Sequence, residues 1–127
     1  SSDEAAFQLA NVSVDLTGLS KSIVNVEFSS IVNFIDAGLG ELEAILRYEL
    51  FRVCENGGAE LRGIWVLERI DQDSDRIIQS FDFTFCESNV CKTGCCTYFV
   101  KVTPIKIVSG QVRVSDGRIA ALVQEGK

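Results

Sequence analysis

The sequence predicts an all-β fold, a jelly-roll-like antiparallel β-sandwich of about eight strands with a flexible N-terminal arm. Three observations carry that expectation. Apolar and polar residues alternate with a period of two along most of the chain, as they do in strands with one buried face. Turn-forming residues punctuate the alternation every ~8–12 positions. The hydrophobic share is 46%, with eight Phe and one Trp among 127 residues, enough apolar surface for the core of a single domain. Residues 1–10 are assigned to the arm and 11–127 to the sandwich.

The elements follow in order. In FQLANVSVDL (Phe7–Leu16), Val12, Val14 and Leu16 alternate with Asn11, Ser13 and Asp15 until Gly18 ends the run. IVNVEFSSIVNFI (Ile23–Ile35) is rich in β-branched residues and interrupted by Ser29 and Ser30, so it reads as one long kinked strand or two short ones. ELEAILRYELFRV (Glu41–Val53) is ambiguous: Leu42, Ile45, Leu46, Leu50 and Val53 suit a helix, whereas Leu42, Ala44, Leu46, Tyr48 and Leu50 share one face of a strand. Helix propensity favours the first reading. The turn at Cys54–Gly58 and the strand-like surroundings favour the second, and strand is taken. Leu61–Ile70 forms a strand around Trp65 and runs into the polar turn Asp71–Asp75. Ile77, Phe81, Phe83 and Phe85 then line one face of a further strand, and with Trp65 they are expected in the core. After the cysteine-rich segment come Thr97–Ile107, with Pro104 marking an edge or bend, a turn at Ser109 and Gly110, a strand Gln111–Ser115, a turn at Asp116 and Gly117, and a last strand Arg118–Gln124.

Charge and residue usage exclude several function classes. The net charge of −6 argues against nucleic acid, whose binding depends on Lys and Arg neutralising phosphates. No run of ~18 apolar residues predicts a membrane-spanning helix. The chain has no His, which removes the commonest general base and every triad built on imidazole; a non-enzymatic protein without cofactor is expected. The absence of Met fits a polypeptide that is trimmed, processed or a fragment, from which any export signal would already be gone.

Four of the five cysteines lie in CESNVCKTGCC (Cys86–Cys96), and Cys54 stands apart. The spacing C-x4-C-x3-C-C lacks the paired C-x2-C knuckles of zinc sites and matches no standard iron–sulfur run, so no metal ligand is assigned. The disulfide candidates are Cys54, Cys86, Cys91, Cys95 and Cys96. A bond from Cys86 across the base of the loop would staple two neighbouring strands, and another would reach Cys54. Cys95 and Cys96 are adjacent, so in a strand they point to opposite faces and serve different partners. An odd count leaves a thiol for another molecule. Reduced cysteines that simply pack, and a cysteine-ligated metal or redox domain, stay open as alternatives.

Weaker signals are the D-x-D-x-D run at Asp71–Asp75, in which Arg76 replaces the Gly that a calcium loop requires, and the glycosylation sequon Asn11–Ser13. Glu41, Glu43 and Glu49 read as an exposed strand face, not an acid/base pair.

Taken together, VEFSSIVNF (Val26–Phe34), YELFRVCENG (Tyr48–Gly57), SFDFTFCESNVCKTGCCTYFV (Ser80–Val100) and VRVSDGRIAAL (Val112–Leu122) resemble an uncharacterised cysteine-containing domain family of anaerobic spore-forming bacteria. The closing segment also resembles C1q/TNF-like jelly rolls of spore-surface glycoproteins and of endospore appendage (Ena) fibre subunits. The expected function is a structural subunit, extracellular or on the cell or spore surface, whose partners are copies of itself in a pilus-like filament or surface layer. Disulfides would hold the assembly, together with addition of the strand bearing Phe7, Leu9, Val12, Val14 and Leu16 to a neighbour's sheet edge. An extracellular β-sandwich module that binds a glycan or a surface protein is the alternative.

Overall fold

A computed structural model describes residues 7–19, 21–38, 40–55, 57–71, 76–90 and 94–125. These form seven strands and no helix: β1 (Phe7–Asp15), β2 (Ser22–Asp36), β3 (Leu42–Cys54), β4 (Glu60–Asp71), β5 (Arg76–Val90), β6 (Cys95–Val108) and β7 (Gly110–Glu125). All neighbours are antiparallel, in a four-stranded sheet ordered β1-β6-β3-β4 and a three-stranded sheet ordered β5-β2-β7. The protein is therefore a β-sandwich. Only the β3–β4 hairpin stays within one sheet; the other connections pass from one sheet to the other.

The period-two pattern becomes two inner faces. From β2 come Val24, Val26, Phe28, Val32 and Phe34; from β3, Leu42, Ala44, Leu46, Tyr48 and Leu50; from β6, Cys96, Tyr98, Val100 and Val102. The ambiguous segment at 41–53 is a strand because five apolar residues at its even positions meet the facing sheet; tertiary burial overrides helix propensity. The aromatic set expected in the core is there. Trp65 stacks on Phe83 at 3.8 Å between ring centroids and meets Phe85 edge-on at 6.2 Å, Phe83 stacks on Phe28 at 4.9 Å, and Tyr48 stacks on Phe81 at 4.4 Å.

The count is seven strands, not eight, for a local reason. Asp116 and Gly117, expected as a turn, sit within β7. Asp116 takes a left-handed φ of 52°, and the pairing with β2 shifts register there, between Ser29 and Ile31. The pair makes a β-bulge, with one extra residue and a local bend but no reversal. The interruption at Ser29 and Ser30 lies opposite that bulge. Ser30 is buried, donates a hydrogen bond to the Phe81 carbonyl at 3.1 Å and lies 3.4 Å from the Tyr48 hydroxyl, so β2 runs through as one 15-residue strand.

β1 begins at Phe7, so Phe7–Ala10, placed in the arm by the sequence, pairs with β6 of the same chain. Val14 and Leu16 are buried and Leu9 and Val12 are half-buried against the core. Of the arm, residues 1–6 lie outside the described residues.

Gly63 in β4 lies beneath Trp65: a Cβ there would come within 2.5 Å of the indole Cη2. Gly63→Ala is therefore expected to displace the ring from Phe83 and to destabilise by ~1–3 kcal/mol, as overpacking does. A lowered urea midpoint with altered Trp65 fluorescence would show it.

Candidate functional site

The chain's chemistry gathers at one end of the sandwich, where β3, β6 and the end of β5 meet. Cys54 and Cys96 are cross-strand neighbours on β3 and β6, with Cα atoms 4.0 Å apart and a disulfide between them. The expected link from the cysteine-rich segment to Cys54 is therefore made by Cys96. The staple from Cys86 across the base of the loop is not made. β5 continues past Cys86 to Val90 and belongs to the three-stranded sheet, whereas β6 belongs to the other sheet, so the two strands are not ladder neighbours. Cys86 and Cys95 are free and exposed. Cys91 and residues 72–75 of the acidic turn lie outside the described residues.

Beside the disulfide is a cluster of charges that the sequence reading missed. Glu87 is the inward residue that follows Phe81, Phe83 and Phe85 on β5, and it reaches across to the four-stranded sheet. Its carboxylate accepts hydrogen bonds from Arg52 Nη1 at 2.7 Å, Arg62 Nε at 2.8 Å and the Tyr98 hydroxyl at 2.5 Å. Arg52 also pairs with Glu60 at 3.3 Å. The Arg52 and Glu87 side chains are each only 7% exposed. With Arg62 and Glu60 the group holds two positive and two negative charges, so charge balance is kept inside the fold. Burial, reinforced by the Glu87 carboxylate, pushes the Tyr98 hydroxyl well above the usual tyrosine range. Burial would lower the Arg52 guanidinium, but Glu87 and Tyr98 outweigh it and hold it above its ordinary value.

A signal for this cluster was present. Arg52 occupies the inward parity of β3 after Leu42, Ala44, Leu46, Tyr48 and Leu50, and Glu87 occupies that of β5. Opposite charges at buried parity in two strands imply a partner across the core. Chemically, the cluster is a clasp: the Arg52, Arg62 and Tyr98 groups that donate to Glu87 all come from the four-stranded sheet, so the carboxylate ties the two sheets together.

Two surface features complete the site. β4 is an edge strand, bonded to β3 alone among the described strands, and its outward residues Leu61, Ile64, Val66 and Ile70 are 44%, 52%, 58% and 52% exposed. Leu61 continues a row through Phe51 on β3 and Phe99 on β6, whose rings stack at 5.2 Å beneath the Lys101 ammonium. On the outer face of the three-stranded sheet, Asn25, Thr84, Cys86, Ala120 and Leu122 line a shallow groove of about 390 Å³. Among the described residues, no three Cys, Asp or Glu side chains gather where they could hold a metal ion. None of the described residues forms a helix long and apolar enough to cross a membrane.

The family model for a domain of unknown function, DUF4489, matches residues 1–124. The chain belongs to the DUF4489 family. The match spans the disulfide, the buried clasp and the β4 edge together, and it bears out membership of an uncharacterised domain family. No curated protein and no solved structure matches the chain.

Proposed function

We propose that the chain is a non-enzymatic structural subunit that self-assembles into an extracellular fibre, appendage or surface layer. The observation that carries this reading is the β4 edge, twelve residues long, whose apolar side chains turn to solvent and which has a ladder partner on one side alone among the described strands. Natural sheets usually blunt such an edge with charge, Pro or a cover, because an open one templates pairing with another chain. Here Glu68 is the one charge among the outward residues from Ile64 to Ile70. The strand first expected to be donated, Phe7–Leu16, is engaged in its own sheet and core, so β4 takes its place as the assembly edge.

Two further features support the proposal. The Cys54–Cys96 disulfide suits an oxidising, extracellular setting. The resemblance of the closing segment to spore-surface and endospore appendage subunits points to the same class of assembly.

The test is light scattering of the full chain in reducing buffer, where cross-links between copies do not contribute. The native sequence is expected to give particles that grow with concentration. Val66→Lys, which places a charge in the middle of the exposed strand, is expected to leave monomers with an unchanged thermal midpoint. Growth that persists in Val66→Lys would remove β4 as the assembly edge.

A further inference from the structure

The two described free thiols stand where they cannot meet. Cys86 lies on β5 between the inward residues Phe85 and Glu87, so its side chain leaves the outer face of the three-stranded sheet. Cys95 precedes the inward Cys96, so it leaves the outer face of the four-stranded sheet. Facing sheets pack ~10 Å apart, and outward side chains diverge further, whereas a disulfide needs Cα atoms within ~7 Å. Parity then applies. With Cys54 and Cys96 bonded, three of the five cysteines remain, and at most two of those can pair within the chain.

We propose that copies of this chain join head to tail through a disulfide between Cys86 of one copy and Cys95 of the next. The proposal rests on the self-assembly reading above and names its covalent link. The surroundings of the two thiols differ in a way that favours unlike pairing. Cys95 opens β6 opposite Asp15, and the Glu55 carboxylate lies against the preceding residue, Gly94, so two carboxylate residues flank it at the end of the sandwich. A Cys95–Cys95 bond would bring those carboxylates against their own copies. Cys86 lies in the shallow groove, where its nearest ladder row is Asn25 and Leu122. A thiol set in a groove of a sheet face is reached more readily by a thiol at a strand end than by a second thiol set in the same groove of another copy. Pairing of unlike surfaces is heterologous, and where its rotation does not close into a ring it builds an open filament.

The chemistry balances with a small disulfide such as oxidised glutathione as the oxidant: the two cysteine thiols lose two protons and two electrons, one S–S bond forms between copies, and two glutathione thiols are released.

The experiment is oxidation of the full chain with oxidised glutathione, followed by non-reducing electrophoresis and mass mapping of the cross-linked peptides. The native chain is expected to give a ladder whose junction peptide joins Cys86 to Cys95. Cys86→Ser and Cys95→Ser are each expected to abolish the ladder, leaving monomer, while Cys91→Ser keeps it; unchanged Trp65 fluorescence in each variant reports an intact fold. Dimers that persist in Cys86→Ser or Cys95→Ser, or a ladder lost in Cys91→Ser, would overturn the pairing. Concentration-dependent particles in reducing buffer without any ladder under oxidation would overturn the cross-link alone and leave the assembly reading standing.

Discussion

Glu87→Ala is expected to lower folding stability by about 3–5 kcal/mol, the cost of leaving the buried Arg52 guanidinium with only the half-exposed Glu60 carboxylate as counter-ion. Arg52, 7% exposed, would lose its 2.7 Å partner, Arg62 would lose its 2.8 Å partner, and the Tyr98 hydroxyl would lose its acceptor. The loss is large against the ~5–15 kcal/mol that typically holds a domain together. Urea unfolding would register it as a fall in midpoint at unchanged slope. Removing both partners, as in Arg52→Met with Glu87→Leu, is expected to cost less than the sum of the two single changes, since apolar replacement of a buried pair avoids the orphaned charge. Additive costs would mean that the cluster is not coupled. The same site sets an alkaline limit. Because the folded Tyr98 hydroxyl titrates above its unfolded value, its contribution is complete below pH ~10, the unfolded tyrosine value, and is lost as the pH climbs toward the folded one.

The second large effect is expected from the disulfide. Replacing Cys54 and Cys96 together with Ser opens a loop closed over 42 residues, for which chain entropy predicts a loss of ~4 kcal/mol. The two strands stay adjacent through their ladder, so the double variant is expected to keep its far-ultraviolet spectrum in the cold and to melt at a clearly lower temperature. An unchanged melting temperature would show that the β3–β6 ladder and the clasp hold this end unaided.

Much of the fold was legible because one property, side-chain parity, decides so much of a sandwich. Val24 to Phe34 and Leu42 to Leu50 declare their buried faces by alternation, and the facing sheets take them up as declared. Parity names the face of a strand; it is silent on which sheet the strand joins. That is why Cys86 was expected to sit beside Cys95 and Cys96, whereas β5 and β6 lie in opposite sheets. It is also why Cys96, inward-facing and opposite Cys54 on β3, makes the bond. Asp116 and Gly117 carried a turn signal that the ladder with β2 turned into a bulge, since a left-handed residue serves either. The clasp was hidden differently. Arg52 and Glu87 are 35 positions apart, so each looked like an isolated exception until the strands were placed. The β4 edge could not be seen at all, because an edge is defined by the absence of a neighbour and no local pattern records that.

The claim that this chain builds a polymer of itself is tested most directly by negative-stain electron microscopy of the full chain, incubated at high concentration and neutral pH with oxidised glutathione. Filaments or sheets with a regular repeat are expected, dispersed to monomers by reductant only when Val66→Lys is also present. A field of compact monomers under every condition would contradict it.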